Sequence, residues 1–94
     1  MHGDLREDIE SFTCGEVPSP LVLSGAPRIE EWHSIVLPRR KDFVMVMWGR
    51  VYGRPGFDDG GKIQTSEIVW FDRKCRFIRT VNTLYRLGDP QVRG

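Results

Sequence analysis

Phe43-Val44-Met45-Val46-Met47-Trp48 is the longest unbroken apolar run in the chain. The charged cluster Arg39-Arg40-Lys41-Asp42 precedes it and Gly49 follows it. A short run of this length, rich in β-branched and aromatic residues and closed by turn signals, reads as a strand rather than a helix. Because it is apolar on both faces, it reads as a central strand covered on both sides. Phe43, Met45 and Met47 form one face; Val44, Val46 and Trp48 form the other. One face can take a helix, and the second needs a barrel interior or a second copy of the chain. A homodimer through the Phe43–Met47 strand is therefore one expectation. Gly49 and Gly53 permit a bulge or a close backbone approach near the strand's end at Tyr52.

Downstream, Gly53 to Lys62 reads as a loop by its glycines, proline and aspartates. Ile63–Phe71 and Arg76–Val81 read as two further strands joined by a turn near Asp72 to Cys75. Leu84–Leu87 prolongs the sheet or forms a last short strand. Upstream, Glu30–Leu37 alternates as a strand does. Residues 16–28 are a connector rich in Pro, Ser and Gly, and Leu21-Val22-Leu23 reads as a short edge strand within it. Residues 4–12 read as a helix: Asp4 can cap it, and Leu5, Ile9 and Phe12 make one apolar stripe. Glu7 and Asp8 suit its positive N-terminal end.

The expected fold is therefore α+β in a single domain over residues 1–94. A short N-terminal helix precedes an antiparallel sheet of three to five strands across residues 29–88, and a flexible tail follows at 89–94. Curling into a small SH3-like barrel would remove exposed edges.

A chain of 94 residues has room for one domain. It buries roughly 60–70% of its unfolded surface, enough for one core but not for a deep catalytic cleft as well. No apolar stretch reaches the ~20 residues that span a bilayer. The acidic, polar start is not a secretion signal, so the cytoplasm (of a host, if the gene is viral) is expected. Cys14 and Cys75 form no CxxC and are expected to be free thiols. Charge is segregated: residues 1–38 carry seven acidic and two basic groups, residues 39–94 twelve basic and six acidic. Either the second half offers a basic surface to nucleic acid or an acidic partner, or the acidic segment packs beside the basic sheet and neutralises it.

Catalytic patterns are sparse. His2 stands at the terminus, and His33 has no ligand at a metal-binding spacing. Asp58-Asp59 lack the alternating ligands and terminal Glu of a calcium loop and read as turn formers. Cys75, between Lys74 and Arg76, could become a thiolate, but only His33 could serve as its base. No Gly-x-Ser-x-Gly and no phosphate-binding loop is present. No enzyme activity, metal or cofactor is expected. One cluster remains: Trp70, Phe71, Arg73, Lys74, Arg76, Phe77, Arg79, Tyr85 and Arg86 interleave rings with cations. Such mixtures bind single-stranded nucleic acid and also make protein-interface hot spots.

From Ala26 to Gly88 the chain resembles a family of short, uncharacterised proteins of bacterial genomes, prophages and plasmids. The matching pieces are Gly25-Ala26-Pro27 leading into Glu31-Trp32, Gly49-Arg50-Val51-Tyr52-Gly53-Arg54-Pro55, Asp59-Gly60, Ile63-Gln64-Thr65-Ser66, Arg79-Thr80 and Tyr85-Arg86-Leu87-Gly88. That family often carries a His before the Pro, where Arg54 stands here, which weakens a catalytic reading. The resemblance brings no activity with it and implies a phage or mobile-element context. The expected function is a non-enzymatic protein that engages and inhibits a host protein. Its expected contact residues are Arg54, Trp70, Arg73, Arg76 and Arg79. The alternative is a nucleic-acid-binding module built on the basic, aromatic last strands.

Overall fold

The structure is a computed structural model that describes residues 4–92. His2 and the last two residues of the expected tail, Arg93 and Gly94, lie outside them. Helix α1 spans Leu5–Thr13. The Asp4 carboxylate accepts the Glu7 amide at 2.9 Å, which satisfies one of the donors a helix start leaves open. Gly15, at φ 89°, ends the helix in the left-handed conformation that suits glycine. A second helix, α2, spans Pro20–Gly25. It replaces the edge strand expected at Leu21–Leu23. The Ser19 hydroxyl accepts the Val22 amide at 3.2 Å, and Pro20 supplies a preset helical φ in the first turn.

Six strands follow: β1 Arg28–Arg39, β2 Asp42–Tyr52, β3 Gly61–Gln64, β4 Ile68–Asp72, β5 Phe77–Thr80 and β6 Leu84–Leu87. Their order in the sheet is β3-β2-β1-β6-β5-β4. All neighbours are antiparallel except β1 and β6, which run parallel with Arg28 beside Arg86 and Ile29 beside Leu87. The α+β class holds, but the sheet is mixed and has more than the expected three to five strands. The added strand comes from the single strand expected over Ile63–Phe71, which breaks in two. Thr65 stays on β2: its amide donates to Met47 O and its hydroxyl accepts the Met47 amide, both at 2.9 Å. Two residues later Glu67 O accepts the Val81 amide, at 2.9 Å, just past the end of β5. Residues 65–67 thus carry the chain from one side of the sheet to the other.

The sheet curls around a core of Ile29, Met47, Val51, Ile63, Ile78, Tyr85 and Leu87, against which Trp32, Ile68 and Phe71 pack. Ile63 on one edge strand and Phe71 on the other meet in this one cluster. The expected SH3-like closure is not made. β3 pairs with β2 alone and β4 with β5 alone, so no ladder joins the two edges. Short edge strands and a bulge in β4 between Ile68 and Trp70 protect those edges instead.

On the outer face of β4–β6, Phe12, Phe77 and Leu84 form a second cluster with Val22, Leu23, Ala26, Trp70 and Cys75. The Phe12 ring lies 5.5 Å from Trp70 and 5.2 Å from Phe77. Both helices therefore cover this half of the outer face. The other half, across β1–β3, carries no helix among the described residues. Asp89 to Gln91, expected in a flexible tail, instead run beside β1. The Gln91 amide donates to Trp32 O at 2.8 Å and Asp89 N to Glu30 Oε1 at 2.7 Å.

Candidate functional site

The five residues expected to contact a partner do not form one patch. Arg79 is 3% exposed. Its Nε donates to Asp8 Oδ2 at 2.7 Å and its Nη1 to Thr80 O, so the acidic helix packs on the basic sheet here. Trp70 lies half-buried against Phe12, with no hydrogen-bond partner for its Nε1 among the described residues. Arg54 stacks on Phe57 at 4.4 Å and donates to the Tyr85 hydroxyl. Burial pushes the Tyr85 phenol above its ordinary pKa, against the pull of the Arg54 guanidinium and a hydrogen bond with Thr83. Arg73 and Arg76 are exposed beside the β4–β5 turn. Arg76 nonetheless donates to Gly88 O at 2.6 Å, bracing the chain's last segment.

His33 and Cys75 are not brought together. His33 lines a cleft on the β1–β3 side, and Cys75 belongs to the cluster under the helices. Both cysteines are free. Asp59 braces its loop by accepting the Gly53 amide at 2.9 Å. Among the described residues, no group of three or more His, Cys, Asp and Glu side chains could hold a metal ion. Among the described residues, no helix is long and apolar enough to cross a membrane.

Two surfaces stand out. The first is the outer part of the β1–β2 hairpin. The ladder pairs Val36 with Met45 and Pro38 with Phe43, placing all four on one face. Val36, Phe43 and Met45 are 58%, 68% and 38% exposed. The strand expected to be covered on both sides is thus buried only in its second half, from Val46 onward, because neither β3 nor β6 reaches the hairpin's outer part. β3 pairs with β2 only from Trp48 to Val51, and Thr65 extends that contact to Met47. Between Asp42 and Val46, one edge of β2 has no neighbouring strand among the described residues.

The second is a half-open cleft of about 580 Å³ on the bare outer face of β1–β3. It is built around a bulge in β1 between Glu30 and His33, where Glu31 takes φ 51°. A non-glycine residue in this region stores strain that the surroundings must hold. Here Glu31 Oε2 accepts Arg50 Nε at 2.7 Å, and the Trp32 indole donates to Gly88 O at 2.9 Å. Gly49 lies opposite with no room for a side chain: a Cβ would meet Ile29 Cγ2 and come within 2.8 Å of Glu30 O. The ladder sets residues on this face in rows, His33-Trp48-Gln64 and then Glu30-Arg50-Lys62. Sequence reading missed this cleft, although Gly49 signalled a close approach. Its walls come from three strands and the last segment, which only the folded chain brings together.

Fold and surface define a small α+β domain with an open, curled, six-stranded mixed sheet, a projecting hairpin and a cleft on its uncovered face. No family model, curated protein or solved structure matches the chain.

Proposed function

We propose that this chain is a non-enzymatic binding protein of phage or prophage type that engages a host protein through the outer β1–β2 hairpin. The observation that carries the reading is the exposed apolar strip of Val36, Phe43 and Met45 beside an unpaired β2 edge. An uncapped edge accepts an added strand: main-chain hydrogen bonds supply affinity and flanking side chains supply selectivity. Pro38 has no N–H to offer on β1, which makes the β2 edge the better template. Arg40 and Lys41 are exposed at the hairpin turn and favour an acidic flank on the partner strand.

The test is retention from nuclease-treated host lysate, compared between the native chain and a Phe43→Ser, Met45→Thr variant. The native chain should hold one protein at near-stoichiometric level, and the variant should hold it at least roughly tenfold less well. No specific protein retained, or equal retention by both, overturns the reading. Sedimentation of the purified chain covers the homodimer. A dimer that the same substitutions dissolve would put a second copy in the host protein's place.

A further inference from the structure

We infer that the cleft beside the β1 bulge is a binding site for a planar ring carrying an anionic group, the chemistry of a nucleotide. This site lies apart from the hairpin surface and does not depend on it.

The inference begins with which groups in the cleft are already committed. Glu31 is paired with Arg50 at 2.7 Å, and Arg50 also donates to Gly60 O at 2.8 Å. Glu30 accepts the Asp89 amide and sits 2.7 Å from Arg28 Nε, a charge contact without hydrogen-bond alignment. Asp89 lies 3.4 Å from Arg76. Every carboxylate in the wall thus has an arginine beside it. The Lys62 side chain makes no hydrogen bond or ion pair with any described residue, and His33 Nδ1 is sealed in the wall without a partner. The cleft's uncommitted chemistry is therefore the Lys62 cation and the Gln91 side-chain amide, which favours an anion that also offers a hydrogen-bonding group.

Trp48 supplies the ring platform. It stands between His33 and Gln64 in the ladder, and its indole N–H donates to Gln64 Oε1 at 2.9 Å. That bond satisfies the ring's one polar atom and holds the ring on the open face. Lys62 lies one strand over and one row along, roughly 8 Å from Trp48 at the backbone by strand spacing and rise. A ring stacked on Trp48 can extend its anionic group to Lys62. A volume of about 580 Å³ lies within the range of small-molecule sites. The strained bulge, the packed Gly49 and the docked segment from Gly88 to Gln91 fix the walls, so a ligand meets a preformed shape.

Calorimetric titration of the full chain with adenosine monophosphate, adenosine and inorganic phosphate tests this. Adenosine monophosphate should bind, and adenosine and phosphate should each bind roughly tenfold more weakly or worse, because each carries half of the recognised chemistry. Lys62→Ala removes an exposed, unpaired side chain, so the fold should be unaffected while affinity falls roughly tenfold. Trp48→Leu should cost about as much through lost stacking. A single-stranded oligonucleotide that binds more tightly and responds to both substitutions makes the natural source a strand; equal affinity makes it a free nucleotide. No binding of any of these at millimolar concentration, or binding indifferent to both substitutions, overturns the inference.

Discussion

Asp8 and Arg79 are 71 positions apart in the chain and 2.7 Å apart in the fold. Both are buried, and the pair ties α1 to the outer face of β5. Taking two charges out of water is costly, so such a pair adds little net stability over a well-packed apolar pair. Removing one partner is different, because it strands the other charge. Asp8→Ala should therefore lower unfolding free energy by about 3 kcal/mol, while Asp8→Ala with Arg79→Met should recover much of the loss. Urea denaturation measures both, and a single substitution costing under about 1 kcal/mol would show that the pair is not holding the helix. In the sequence Asp8 was legible only as an acid suited to a helix start. Its partner was not legible, since Arg79 reads as one more cation on a basic strand.

At the scale of the element, the β1 bulge does most to shape the surface. It adds one residue to β1, turns Glu31 to φ 51° and lets Trp32 reach Gly88. Gly49 makes the bulge possible, because the backbone at Glu30 and Trp32 occupies the space a Cβ would need. Gly49→Ala should destabilise the fold by about 2–3 kcal/mol, as overpacking into a closed site does. Thermal melting checks this, and an unchanged melting temperature would mean that the bulge can open. The element boundaries divide by the reach of their signals. α1 was readable from its Asp4 cap and its stripe at Leu5, Ile9 and Phe12, all local features. β1 and β2 were readable from alternation and from the apolar run. α2 carried a local signal in Ser19-Pro20, but the apolar triplet after it reads equally as strand. The break at Thr65–Glu67 had no local signal, because it depends on the partners Met47 and Val81.

Across the whole molecule the connections are long. Ile29 pairs with Leu87 in the parallel β1–β6 ladder, and the last segment returns to Trp32. Parallel pairing of distant segments must close large loops before it is rewarded, so folding should fall in the millisecond-to-second range rather than in microseconds. Stopped-flow tryptophan fluorescence reads this directly, and refolding complete within the dead time would contradict it. Charge follows the same long connections. The acidic first part of the chain meets the basic second part through Asp8–Arg79 and Glu31–Arg50, both at 2.7 Å. Segregation along the sequence thus becomes pairing in space at these two points, while Arg73 and Lys74 stay exposed at the β4–β5 turn.

The amino-acid order alone determined the α+β class, the first helix with its cap and the strand character around the Phe43–Trp48 run. It also carried the glycine at which strands come close. Each of these rests on periodicity or on a residue's own backbone preference, which act within a few positions. The tertiary structure decided the strand order, the open curl, the burial of Arg79, the half-burial of Trp70, the exposure of Phe43 and Met45, and the cleft. These depend on which distant segment covers a given face. Phe43 and Met47 share one face of one strand, yet Met47 is buried in the core and Phe43 stands in solvent, because the neighbouring strands end between them.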